Sequence, residues 1–129
     1  MSAEDVLRKL VAHLDARKIA YMLVGSFAST YFGASRTTLD IDLVIEAAPD
    51  QLRGLIADLQ ADHYYAELDA ALLAHDNESM FNVLDSASGW KIDLIFRKNR
   101  AFDREEFRRR RTAKLFDIEL FVALSLIHI

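Results

Sequence analysis

The chain has no cysteine in its 129 residues. That excludes disulfides and thiolate metal sites. With four glycines and one proline it carries no linker, internal repeat or low-complexity tract. No apolar run approaches the roughly 20 residues of a membrane span, so no membrane partner is expected. The first residues, Met1-Ser2-Ala3-Glu4-Asp5, are polar and acidic, unlike a secretory leader. A cytoplasmic setting is the expectation. His13, His63, His75 and His128 show no metal-ligand spacing, so no zinc site is expected. The formal net charge of −4 does not fit a general nucleic-acid binder.

Apolar residues make up 52% and charged residues 28%, enough to build a core in one domain. Charge is unevenly spread. Arg97, Lys98, Arg100, Arg104, Arg108, Arg109, Arg110 and Arg111 crowd one stretch. The cluster has two readings: a phosphate-facing patch, or a solvated helix face balanced by Asp103, Glu105 and Glu106. The chain stops in an apolar run, Leu126-Ile127-His128-Ile129. This is read as truncation or a short non-native tail.

Helical spacing of Val6, Leu7, Leu10, Val11 and Leu14 predicts a helix over 2–17, with Ser2 as its cap. Residues 20–24, Ala-Tyr-Met-Leu-Val, read as a strand broken by Gly25-Ser26. Ser26 is expected to cap a short helix to about Phe32, closed by Gly33. A loop with Arg36, Thr37 and Thr38 follows, then a strand over 39–45. Pro49 starts a helix to about Ala61. Residues 62–77 are ambiguous, with Tyr64-Tyr65 a candidate strand and Ala70–His75 a candidate helical turn. Met80–Leu84 and Trp90–Phe96 read as a hairpin around Asp85-Ser86-Ala87-Ser88-Gly89. A short helix is predicted from Asp103 to Arg110, then two short strands or one bent strand over 112–122. Trp90, Phe81 and Phe96 are assigned to the core. Alternating helices and strands predict an α/β (α+β) fold, a mixed central sheet flanked by helices.

Chemistry concentrates at three places. Asp40 and Asp42, two apart on a strand, share a face, with Ile41, Leu43 and Ile45 opposite. Asp93, in Lys91-Ile92-Asp93-Leu94-Ile95-Phe96, joins them if the two strands are neighbours. Such carboxylates repel unless a cation lies among them, and hard oxygen ligands suit Mg²⁺ or Mn²⁺. Gly25-Ser26 sits at a strand-to-helix turn, where close backbone approach and helix N–H groups can hold phosphate.

Leu23-Val24-Gly25-Ser26 followed by Leu39-Asp40-Ile41-Asp42-Leu43, with Asp93 on a later strand, resembles the nucleotidyltransferase superfamily that includes DNA polymerase beta. Arg36-Thr37-Thr38-Leu39-Asp40-Ile41-Asp42-Leu43-Val44 looks most like the small bacterial branch related to abortive-infection type toxins. The resemblance spans roughly residues 20–96 and implies a minimal nucleotidyltransferase fold. It implies that Asp40, Asp42 and Asp93 hold divalent ions, with Asp93 helping to activate an acceptor hydroxyl. Gly25 and Ser26 would bind the β- and γ-phosphates of a nucleoside triphosphate. Arg36 and Lys91 would stabilise the pyrophosphate, and Thr37 would contact the nucleotide. The implied reaction moves a nucleoside monophosphate to a hydroxyl, with RNA or protein the favoured acceptor and a cognate toxin or antitoxin as a candidate partner. Two alternatives stand: a non-catalytic binding module in a toxin–antitoxin pair, and a metal-dependent phosphodiesterase using the same carboxylates.

Overall fold

The computed structural model describes residues 3–24, 40–115 and 118–123. In chain order the elements are α1 (Ala3–Ala16), β1 (Ala20–Val24), β2 (Asp40–Glu46), α2 (Pro49–Ala61), β3 (Tyr64–Tyr65), α3 (Leu68–Asn77), β4 (Met80–Asp85), β5 (Lys91–Phe96), α4 (Ala101–Arg108), β6 (Arg111–Leu115) and β7 (Ile118–Val122). The strands form one mixed sheet in the order β3-β4-β5-β2-β1-β7-β6. This is the α/β arrangement that the alternation of elements predicts. No helix among the described residues is long and apolar enough to cross a membrane.

The elements follow from their patterns. Val6, Leu7, Leu10, Val11 and Leu14 recur on one face of α1 and are all buried. In α2, Leu52, Leu55, Ile56 and Leu59 do the same. Pro49 occupies its first turn, where a missing N–H costs nothing. Gln51 Oε1 accepts from the Ala48 N–H at 2.8 Å, while its Nε2 donates to the carbonyls of Arg17 and Lys18. One side chain thus fixes both the start of α2 and the turn leaving α1.

Helices α1, α2 and α3 bury the sheet face carrying Tyr21, Leu23, Ile41, Leu43, Ile45, Ile92 and Leu94. The opposite face is covered in part by α4, whose Phe107 packs with Met22, Ala123 and Val44. Phe81 and Phe96 are buried as assigned, and Trp90 packs half-buried against the same core.

Several boundaries move. The ambiguous stretch resolves into the two-residue β3 and the three-turn α3. α4 begins at Ala101 rather than Asp103 and ends at Arg108. Its N-cap is Arg100, and Asp103 lies in the first turn paired with Arg100 at 2.7 Å. Its carboxylate there suits the helix dipole. Arg111–Leu115 and Ile118–Val122 are two antiparallel strands. Ser2, the Ser26 helix, Gly33, the Arg36–Thr38 loop and the C-terminal run lie outside the described residues.

Candidate active site

The site is built where three strand ends meet. β1 and β2 are antiparallel, and β2 and β5 are parallel. The end of β1 and the starts of β2 and β5 therefore share one end of the sheet. The register pairs Val24 with Asp42, Asp42 with Asp93, and Asp93 with Asn82. Register partners on adjacent strands point to the same face. A polar row thus crosses three strands beside Val24, after which the sequence continues as Gly25-Ser26. Next to it, Asp40 pairs with Lys91.

Burial confirms the phase. Ile41, Leu43, Ile92 and Leu94 are fully buried on the helix-covered face. Asp42, Lys91 and Asp93 alternate with them and are half-buried. Asp42 and Asp93 thus stand side by side on strands about 4.8 Å apart. The Oδ1 atom of Asp93 is shielded from solvent and has no hydrogen-bond partner among the described residues. An unmet buried carboxylate oxygen costs about 1–3 kcal/mol or more, unless a cation or donor reaches it. A hard, anionic oxygen in that state fits Mg²⁺ or Mn²⁺. Among the described residues no three acidic or histidine side chains converge on a metal position. Asp40, the expected third ligand, is described by its backbone, which places it on the same strand face two residues before Asp42.

The structure therefore brings together Asp42 and Asp93, with Lys91 and the Asp40 backbone one row away. Gly25, Ser26, Arg36 and Thr37 lie outside the described residues. Asn82 joins the row unannounced by the sequence. It is an exposed polar residue in a strand whose alternate positions, Phe81 and Val83, are buried. Its alternation is visible in the sequence, but only the cross-strand register sets it beside Asp93.

The arginine cluster lies elsewhere. Arg100 pairs with Asp103, and Arg108 and Arg109 both pair with Glu105 at 2.6 and 2.7 Å. Hydrogen bonds from Arg108 and then Arg109 hold the Glu105 carboxyl below its ordinary range. Much of the cluster is thus the balanced helix face of the second reading.

No family model and no curated protein matches the chain. Solved structures do. The lincosamide antibiotic adenylyltransferase LnuA, in its lincomycin-bound crystal structure, matches with a TM-score of 0.63 at 13% identity, over 95% of this chain and 80% of that one. A nucleotidyltransferase, described as putative, from Thermotoga maritima (TM1012) matches with a TM-score of 0.55 at 13% identity and the same coverage. The fold is that of the nucleotidyltransferases. At 13% identity the likeness concerns the fold alone.

Proposed function

We propose that this chain is a metal-dependent nucleotidyltransferase that moves a nucleoside monophosphate from a nucleoside triphosphate to a hydroxyl acceptor. The observation that carries the reading is the register pair Asp42–Asp93, with one buried oxygen of Asp93 unmet. Asp40, Asp42 and Asp93 would hold the divalent cations. When bound, such cations neutralise charge on the attacking and leaving oxygens. The remaining roles fall to the chain itself. Gly25 and Ser26, which follow Val24 of the same row, would bind the β- and γ-phosphates. Lys91 and Arg36 would stabilise the pyrophosphate, and Thr37 would contact the nucleotide. Asp93 would accept the acceptor's proton as its oxygen attacks the α-phosphorus and the bridging P–O bond to the β-phosphate breaks.

The resemblance to the toxin branch favours RNA or protein as acceptor. A small molecule is the third acceptor class, and the likeness to the lincosamide antibiotic adenylyltransferase LnuA supports keeping it. A purely binding role as a toxin–antitoxin component gives no reason to keep a carboxylate oxygen buried and unmet. The test incubates the protein with Mg²⁺ and each α-labelled nucleoside triphosphate, in the presence of RNA, protein or small hydroxyl compounds. The expected result is label in one acceptor with matching pyrophosphate release, lost in Asp42→Asn. Strand breaks without label transfer would instead indicate hydrolysis, and no reaction in any arm would contradict transfer.

A further inference from the structure

At the opposite end of the same sheet face lies an open groove of about 740 Å³. It is lined by Lys18, Arg97, Arg104, Arg108 and Arg110, against the single carboxylate of Glu46. Glu46 lies four residues along β2 from Asp42, and Arg97, the residue after β5, lies four from Asp93 and donates its N–H to the Ile45 carbonyl at 3.0 Å. At about 3.3 Å per residue the groove is roughly 13 Å from the carboxylate row. We propose that this groove binds the phosphodiester backbone of single-stranded RNA, in line with the carboxylate row. The term acceptor for that RNA rests on the proposed transfer reaction; the binding itself does not.

The charges divide into two sets. Arg97 is matched by Glu46 at 3.2 Å, and Arg108 by Glu105 at 2.6 Å. Lys18, Arg104 and Arg110 have no carboxylate partner among the described residues. Among the described residues the Arg104 guanidinium donates to the neutral Asn99 Oδ1, at 2.8 Å. Arg110 lies over the rings of Phe107 and Phe121, 4.4 and 4.7 Å from their centroids, and donates to the Phe107 carbonyl. Its fork is thereby held in place before any ligand arrives, and a guanidinium so fixed suits phosphate.

Lys18 supplies an independent observation. It ends α1 in a Schellman turn, with Ile19 N–H donating to Leu14 and Lys18 N–H to Asp15. Its φ is +58°, a left-handed conformation that glycine adopts without strain. The turn needs no lysine, and Gln51 holds its carbonyl. A strained backbone position thus presents a cation to the groove. The apolar part of the lining is Ala20, Ala47, Ala48 and Phe107. It forms no deep slot for a peptide side chain, so an extended phosphate backbone is the better fit.

The test measures binding of a fluorescent single-stranded RNA at several salt concentrations, without nucleotide. Variants are Lys18→Gly, Arg104→Glu, and Arg53→Glu as a charge-matched control on α2. Arg53 is exposed and outside the groove. Lys18→Gly and Arg104→Glu should each weaken binding and flatten the log–log salt slope by about one. Lys18→Gly should melt no lower than wild type, which separates lost binding from lost folding. Arg53→Glu should leave the slope unchanged. Equal flattening by Arg53→Glu would overturn the groove in favour of bulk charge. Displacement of the RNA by polyglutamate or inorganic triphosphate at equal charge would overturn the assignment to an RNA backbone. If RNA binding follows the groove variants but no label transfer occurs, the groove stands and the transfer reading falls. Label transfer to RNA that ignores both groove variants would sink the groove alone.

Discussion

Asp42 and Asp93 are register partners, and like charges directly opposite each other on neighbouring strands are destabilising. Asp93→Asn removes that repulsion and replaces an unmet anionic oxygen by a neutral amide. We expect the metal-free variant to be more stable by about 1–3 kcal/mol, measured by thermal unfolding with chelator present. A loss of stability would show that the Asp93 carboxylate already has a partner that holds it.

Titration elsewhere sets the pH range. The Asp62 carboxyl is held below its ordinary range, chiefly by the hydrogen bond with His13 at 2.7 Å and also by Lys9. A depressed folded-state value contributes stability above the ordinary carboxylate range, lost as pH falls through the folded value. The Tyr64 hydroxyl is pushed up by burial and then by Asp85 and Asp62. Its neutral form is favoured in the fold, so that contribution is full below the ordinary tyrosine range and fades as pH rises through the folded value. The melting temperature should therefore fall at both extremes, and Asp62→Asn should flatten the acid limb and, by removing one of the charges that push Tyr64 up, soften the alkaline limb to a smaller extent.

Residue chemistry also explains what the sequence conceals. Lys18, His63 and Glu78 all have positive φ at or just past helix ends, where glycine is the usual stop signal. With four glycines in the chain, those stops carry no visible mark. His63→Gly should leave stability unchanged or raise it by up to about 1 kcal/mol, read from a denaturation midpoint.

Among the elements, β1 and α2 are legible because period and punctuation agree. An apolar run bounded by Gly25 gives β1, and Pro49 with a regular buried face gives α2. α3 is not legible. Leu73 is 63% exposed while Ala71 and Ala74 are buried, so its large apolar residues do not trace its inner face. The β4–β5 hairpin is legible as a turn, but its register is not. That register is held by Asp85, buried, whose Oδ2 accepts from the Ser88 N–H and hydroxyl, with Gly89 at φ +80°. It is the same register that sets Asn82 beside Asp93. Asp85→Ala should cost about 1–3 kcal/mol, measured by denaturant unfolding, and should weaken nucleotide binding beyond that loss.

At the scale of the molecule, the sheet order could not be read from the pattern. β7 lies parallel to β1, far from it in sequence, and pairing across that distance leaves no local signal. Both sheet edges are unfavourable to further pairing: β3 has two residues, and β6 carries Arg111 and Lys114. What the sequence does show is the spacing of Asp40, Asp42 and Asp93 on strands of matching phase, and the topology makes those strands neighbours. The central claim is that this row binds nucleotide through a divalent cation. Calorimetric titration of a non-hydrolysable nucleoside triphosphate, with and without Mg²⁺, tests it most directly. Binding is expected in wild type only with Mg²⁺, and in neither Asp42→Asn nor Asp93→Asn although both fold. Equal affinity in wild type and both variants, or affinity indifferent to Mg²⁺, would contradict it.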